Sequence, residues 1–456
     1  MTKLYKNDKI KILKEHESGG VKLLSATKSE TKTFWKYNNV KLNDFQQGDL
    51  GNCGLIGALA CMSQRPEFLT EIAPVIHRQN NGIQVCFKMF SRGKPVRVSI
   101  DDTLPFYSET FCYYLFSKFG QHVLEFVLKK LFNVNLFLAY GNSGSLTNFY
   151  LASFFEKVFV KQTCCNAYKH SIGTDEYLVF TSFSDCMVSK NLWTKENSKQ
   201  NLMNHVVYEL DNKSSVCLGV VPSMCNEPEK ETDFGHCYVV IDYDHDYKAL
   251  KLYDPNCNPK SCVSDERLPR SIVNNAAPNK GELWVTMDQL KKRYVDVTSL
   301  HSKNLYKSFF RLNRKIKLKA KKFKIRKAAC KVVLEETSSF MINFFSYVNY
   351  TNLRLTVTIA GSNRQKIKPN FELPDQMYGR LNENRRNGES KSNYCQRFVL
   401  QPNVYKFSFE FNSSYKSLLT KKEDWLLKIA CTSECIFEKL KKTTNFTELR
   451  RNMFKQ

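Results

Sequence analysis

The sequence has no apolar run long enough to cross a bilayer. Its longest candidate, Ser339 to Val348, contains Asn343 and is about half the length of a span. A secretion signal is also missing, because lysines interrupt every short apolar stretch of the opening MTKLYKNDKIKILKEHESGG. A soluble, cytoplasmic chain is therefore expected. Acidic residues are in short supply, 44 Asp and Glu against 69 Lys and Arg, giving a formal net charge of +25. That excess favours nucleic acid, acidic protein or anionic membrane without choosing among them. No recognised nucleic-acid motif accompanies it, so no nucleic-acid partner is expected. With 18 glycines and 13 prolines, punctuation is too sparse for a disordered or fibrous chain. The sequence shows no internal repeat, and its cysteines and histidines lack the paired short spacings of a structural zinc site.

What is present is core material: 42% of the 456 residues are apolar, enough for roughly three folding units at about 150 residues each. The 16 cysteines are irregularly spaced and, without a secretion signal, are expected to be mostly reduced and buried. Cys431 and Cys435 lie four apart on what reads as a helical end, and Cys257 and Cys262 stand near His236 and His245.

Residues 1–33 form a basic lead-in, followed by the aromatic knot Thr33 to Tyr37. Residues 50–64 carry almost no charge and place Leu55, Leu59 and Met62 at helical spacing, which predicts a buried helix starting at Asn52 or Cys53. A second helix is expected from Glu67 to Pro74, strands over 83–90 and 95–100 about a turn at Gly93, and another helix over 119–137, making the first lobe mainly helical. From 205 onward the period changes to two, in HVVYEL, SSVCLGVV, FGHCYVVIDYD and YKALKLYDPN, an antiparallel sheet pattern. That lobe is expected to end with a strand Glu282 to Met287 and a helix Gln289 to Tyr294 capped by Asp288, leaving a cleft between the lobes. Residues 303–331 hold 13 basic and no acidic residues, a boundary by composition. Strand-like segments LRLTVTIAG, QRFVLQPNVYKFSFEF and DWLLKIACTSE follow, separated by the polar stretch 362–394, and suit a β-sandwich.

The sharpest chemical feature is the run Gln47 to Leu55, where Cys53 stands at the first turn of a buried helix behind two glycines. Helix amides and the partial positive charge at that end favour a thiolate, although a buried structural thiol fits the same pattern. Gln47 can swing its amide back beside the cysteine and, with the Cys53 N–H, donate to an oxyanion. A thiolate also needs a base. His236 opens an apolar strand behind Gly235, whereas His77, His122, His170, His205 and His301 lack such a strand with an acid on its neighbour, His16 is in the lead-in and His245 in a hairpin turn. The next strand ends in Asp254-Pro255-Asn256, so either Asp254 or Asn256 can orient the imidazole.

The stretch Gln47 to Leu59, followed by GHCYVV and KLYDPN, resembles the calpain family of papain-like cysteine peptidases. Gln47, Gly48, Gly51, Asn52 and Cys53 match the family's Q-G-x-x-G-[DN]-C-W, with Gly54 in place of tryptophan. Val98 to Pro105 resembles V-x-V-D-D-x-L-P, and Ala139 to Thr147 the loop after the first lobe's long helix. The resemblance implies an α+β fold: a papain-like two-lobed core over 34–300 (helical lobe to about 150, sheet-rich lobe after), a basic linker over 301–335, a calpain-type β-sandwich over 336–438 and a tail over 439–456. Arg397 to Tyr405 and Trp425 to Ile429 resemble the closing strands of that sandwich. It further implies Cys53 as nucleophile, Gln47 as oxyanion donor and His236 as base. Asp254-Pro255-Asn256 stands for N-P-W-G, so the orienting residue is Asp254, or Asn256 as the alternative, and the lost tryptophan is expected to expose the pair to water.

The implied activity is limited cleavage of protein substrates with no cofactor in the chemistry. Calcium regulation would be weakened by Asn148 standing where the family has Glu, while Asp101 and Asp102 read either as ligands or as a turn and salt-bridge anchor. The alternatives are an inactive protein- or membrane-binding scaffold and transglutaminase-like acyl transfer. Residues 311–331 could meet anionic membrane, form a solvated linker or include a lysine-blunted edge strand.

Overall fold

The computed structural model describes residues 21–25, 41–48, 50–71, 75–79, 82–91, 93–107, 151–164, 166–193, 199–221, 236–257, 264–290, 294–317, 324–346, 350–359, 366–367, 393–413 and 422–439. The chain divides into two compact units, Met1–Asp185 with Lys190–Leu300, and Cys186–Ser189 with His301–Gln456. The architecture is α+β, with helices gathered in the first unit and antiparallel sheets in both.

The first unit opens with strand β1 (Val21–Ser25), then helices α1 (Cys53–Ser63) and α2 (Pro66–Glu71). Strands β2 (Val75–Gln79), β3 (Gly82–Ser91) and β4 (Lys94–Asp101) form an antiparallel meander, and β5 (Thr103–Tyr107) pairs with β1. Helices α3 (Leu151–Thr163) and α4 (Glu176–Phe183) follow, then strand β6 (Val188–Trp193) and helix α5 (Lys199–Asp211). The chain continues through β7 (Ser215–Val221), β8 (His236–Asp244), β9 (Ala249–Tyr253), α6 (Arg270–Val273), β10 (Glu282–Thr286), α7 (Met287–Leu290) and β11 (Tyr294–Leu300). A six-stranded sheet in the order β10-β9-β8-β7-β11-β6 results.

This sheet is covered on both faces, which explains its near-continuous apolar strands. Val216 and Leu218 of β7 share a core with Leu202, Met203, Val206 and Val207 of α5. Cys217, on the opposite face, meets Cys61 of α1 and Cys237 of β8. Every residue of α1 after Cys53 is buried, and each large apolar side chain among them contributes about 1.5–3 kcal/mol. The helix is thus a fixed post against which the sheet is set.

Several expectations are corrected. HVVYEL is part of helix α5 rather than a strand: Leu202 and Met203, one turn ahead of Val206 and Val207, complete an apolar helical face. The helix expected over Gln289 to Tyr294 is the single turn α7 with Asp288 inside it, and Tyr294 opens β11, whose Val295 and Val297 enter the sheet core. The strands expected over 83–90 and 95–100 are β3 and β4, and β2 and β5 add strand before and after them. The expected helix over 119–137, the loop Ala139 to Thr147, Asn148 and the aromatic knot lie outside the described residues.

The second unit contains β12 (Ser308–Lys317), β13 (Lys324–Leu334), β14 (Ser338–Ser346), β15 (Tyr350–Ile359), β16 (Lys366–Ile367), β17 (Asn393–Leu400), β18 (Asn403–Ser413), β19 (Lys422–Cys431) and β20 (Ile436–Lys439). They form a four-stranded sheet, β12-β19-β14-β17, and a five-stranded one, β16-β15-β18-β13-β20. Buried Phe340 of the first sheet and Phe407 of the second meet with ring centroids 5.7 Å apart. Much of the basic stretch is therefore strand. β12 lies at a sheet edge. Cys431 ends a strand, not a helix.

Candidate active site

Cys53 is the one residue of α1 that is not fully buried. Asn52 precedes it and its carbonyl accepts the Leu55 and Ile56 amides at 2.9 and 3.2 Å. The Asn52 side chain makes no cap; its Nδ2 donates instead to Glu156 Oε1 of α3 at 2.5 Å, a fully buried pair that ties the start of α1 to a segment about a hundred residues away.

Two glycines set what packs against α1. A Cβ at Gly57 would lie 2.8 Å from Cys237 Sγ, so β8 passes close to the helix one turn below Cys53. A Cβ at Gly54 would lie 1.9 Å from the Thr174 carbonyl oxygen. The loop carrying that carbonyl is held by Gly173 N donating to Gly51 O at 2.9 Å. Main chain thus occupies the place of a side chain at position 54.

His236, the first residue of β8, has its Nε2 2.7 Å from Asp254 Oδ1 and is hydrogen-bonded to Cys53. With Nε2 engaged by the carboxylate, Nδ1 is the nitrogen left for the sulfur. Its ring meets Tyr238 edge-on at 4.8 Å. The His236 side chain is 18% exposed and that of Asp254 3%, so the expected exposure of the pair to water does not occur. Burial pulls the His236 pKa down, but the hydrogen bonds and charges of Asp254 and Cys53 outweigh it and push it up to about 10.

Asp254 is the ring's partner. Asn256 is exposed and contributes its backbone amide, which donates to the same Oδ1 at 2.8 Å. The Asp254 amide donates to Gly281 O at 2.8 Å. Gly281 has φ +84°, and a Cβ there would lie 2.5 Å from the Asp254 carbonyl, so glycine is required. Two further bonds join the Asp254 turn to the Gln47 turn: the Tyr253 hydroxyl donates to Phe45 O at 2.6 Å, and Gln47 N donates to Pro255 O at 2.8 Å. The Gln47 side chain folds into its own turn, Nε2 donating to Leu50 O at 2.7 Å, while Oε1 is buried without a hydrogen-bond partner.

Beneath Gly54 lies a partly buried charge cluster. Lys190 Nζ stands 2.6 Å from Asp175, 3.1 Å from Asp296 and 4.0 Å from Glu176. Burial, then the nearby Asp296 charge, pushes Glu176 up to about 7. Sequence reasoning missed this cluster, together with Glu156, Tyr253 and Gly281; only the Asn52 and Asp254 motifs they support were visible.

Asp101 is a salt-bridge anchor. Its carboxylate receives the buried Lys157 ammonium, which also bonds the Asp101 carbonyl at 3.1 Å and Thr103 Oγ1 at 3.0 Å. A cation already sits among these oxygens, so they do not fit a calcium ion.

No curated protein gives a significant match to the chain. Among models of known families, that of the calpain family cysteine proteases matches residues 24–256, a span that includes Cys53, His236 and Asp254. This match extends over more than half of the sequence, and the chain belongs to the calpain family of cysteine proteases.

Proposed function

We propose that the protein is an intracellular endopeptidase that makes limited cuts in protein substrates, with Cys53 as nucleophile, His236 as acid and base, and Asp254 as the residue that orients the ring. The observation that carries this reading is the hydrogen-bonded chain from Cys53 through His236 to a buried Asp254, starting at the one solvent-reaching position of a buried helix.

The Cys53 sulfur attacks the scissile carbonyl carbon, and the carbonyl oxygen gains negative charge facing the Cys53 N–H. Gln47 supplies the second donor once its amide turns from Leu50 O. His236, held protonated by Asp254, passes its proton to the departing amine and leaves an acyl-enzyme. The neutral ring then takes a proton from water, which attacks the acyl carbon and releases Cys53. None of these steps calls for a metal.

The chain is read as a two-lobed papain-like core ahead of a β-sandwich, with the basic residues 311–331 offering contact to anionic lipid. Among the described residues, no helix is long and apolar enough to cross a membrane. Flotation with vesicles containing phosphatidylserine at physiological salt tests the lipid contact, and recovery only at the bottom of the gradient would refute it.

The scaffold alternative rests on Gly54, Asn256 and the basic run; at Gly54 the approach of the Thr174 carbonyl leaves no room for the family's tryptophan. The catalytic assignment is tested by Cys53→Ala in the full chain. Cleavage of an unstructured protein such as casein and labelling by a thiol-directed peptide probe are expected to vanish with the fold intact. Cleavage that persists in the variant would overturn the assignment, and amine incorporation without cleavage in the parent would favour acyl transfer.

A further inference from the structure

The second unit holds a cysteine pair that the proposed chemistry does not use. β19 ends at Cys431, and Cys435 immediately precedes β20, so the turn between them passes from the four-stranded sheet to the five-stranded one. Strand pairing sets Ser308 of β12 opposite Cys431. The Cys435 amide donates to Ser308 Oγ at 2.9 Å, so the chain folds back over the neighbour of Cys431. Lys307 N donates to Cys431 O at 2.9 Å and Thr432 N to Ser339 O at 3.0 Å, which fixes the turn. Within this frame Cys435, Ser433 and Ser338 surround the Cys431 thiol, and the Ser338 and Ser433 hydroxyls are hydrogen-bonded to each other. Cys431 is buried, while Cys435 is partly open to solvent.

We propose that Cys431 and Cys435 are a peroxide-responsive dithiol that closes to an intramolecular disulfide. The sulfur donors around Cys431, against the opposing pull of burial, bring its thiol down to about 7, and the same contact raises Cys435. The contact of the two thiols therefore favours a thiolate on one of them. The sulfur holding that charge attacks one oxygen of hydrogen peroxide. The O–O bond breaks, and the departing hydroxide takes up a proton to leave as water, giving a sulfenic acid. The second thiol loses its proton and attacks the oxidised sulfur. The S–O bond breaks, and the hydroxide released takes that proton to leave as a second water. Two thiols lose two electrons, and one peroxide becomes two waters.

Trypsin releases both cysteines in one peptide, Ile429 to Lys439. The full-length protein is treated with graded hydrogen peroxide, quenched with N-ethylmaleimide under denaturing conditions, digested and weighed by mass spectrometry. This peptide is expected to lose two hydrogens and take no maleimide, at doses that leave the buried Cys330 alkylated. Dithiothreitol should restore both maleimide sites. Closure should be roughly tenfold faster in the native protein than in the same chain unfolded in urea, because only the folded turn supplies the donors. Full alkylation of both cysteines at every dose would overturn the proposal, and so would equal rates in native and unfolded chains. Neither result bears on cleavage by Cys53, so the dithiol and the peptidase reading fail separately.

Discussion

Replacing Gly54 by alanine tests the packing that the active site depends on, because two effects of opposite sign compete there. Alanine in a helix is ordinarily more stable than glycine by up to about 1 kcal/mol, less in a first turn. Its methyl group, however, would sit 1.9 Å from the Thr174 carbonyl oxygen and 3.1 Å from both the Thr174 carbonyl carbon and Glu176 Oε1. Relief requires the loop to withdraw by about an ångström, since real contacts of this kind begin near 3.0 Å. That loop is pinned by the Gly173–Gly51 bond at 2.9 Å and by Thr174 Oγ1 donating to Ser171 O at 2.5 Å. Overpacking against fixed neighbours typically costs about 1–3 kcal/mol, which exceeds the helix gain. The variant is therefore expected to unfold at lower urea with an unchanged m-value, and Cys53 to react more slowly with a thiol-directed probe. An alanine variant as stable as the parent, or more so, would refute the reasoning, because the propensity effect would then act alone.

Further predictions concern the ring and its support. The raised His236 pKa contributes stability that is fully present below the unfolded value of 6.5 and is lost as pH rises through about 10. Asp254→Asn should move the ring's titration down toward 6.5, together with the alkaline loss of stability. An NMR titration of His236 checks both, and a parent ring titrating near 6.5 would contradict the geometry. Tyr253→Phe removes the 2.6 Å bond to Phe45 O and should cost about 1 kcal/mol of stability. It should lower kcat several-fold with KM unchanged, since only the placement of Asp254 relative to the Gln47 turn is loosened; equal kcat values would show the bond to be structural only.

The parts of this fold that were legible in the sequence are those decided by local pattern. The uncharged run after Asn52 became α1, and the turn at Gly93 joined β3 to β4. The alternation around Cys237 became β8, antiparallel to β9 as the Asp254 argument required. Val206 and Val207 misled because β-branched neighbours look like strand until Leu202 and Met203 are counted with them, and β11 was hidden by Asp296, a carboxylate in the middle of a buried strand. The site divides in the same way. Cys53, His236 and Asp254 were visible because each stands at the end of a patterned element. Glu156, Lys190 and Asp296 were not, because a buried polar residue is meaningful only through a partner that the sequence does not place beside it.

The two positions where a tryptophan of the family motif is absent have different physical accounts. At Gly54 and at Asn256 a tryptophan is absent: at the first the Thr174 carbonyl comes close enough that a side chain would not fit, while at the second Asn256 is exposed and its backbone amide holds Asp254 Oδ1. Loss of a large ring from a packed site would ordinarily leave a void costing about 3–5 kcal/mol or admit water to the ion pair. Here Asp254 stays buried and Gly54 has no room beside it. The glycine at position 54 and the position of the Thr174 loop are thus one arrangement. Restoring the tryptophan at position 54 should damage the site, because the space it would fill is already taken by the Thr174 main chain.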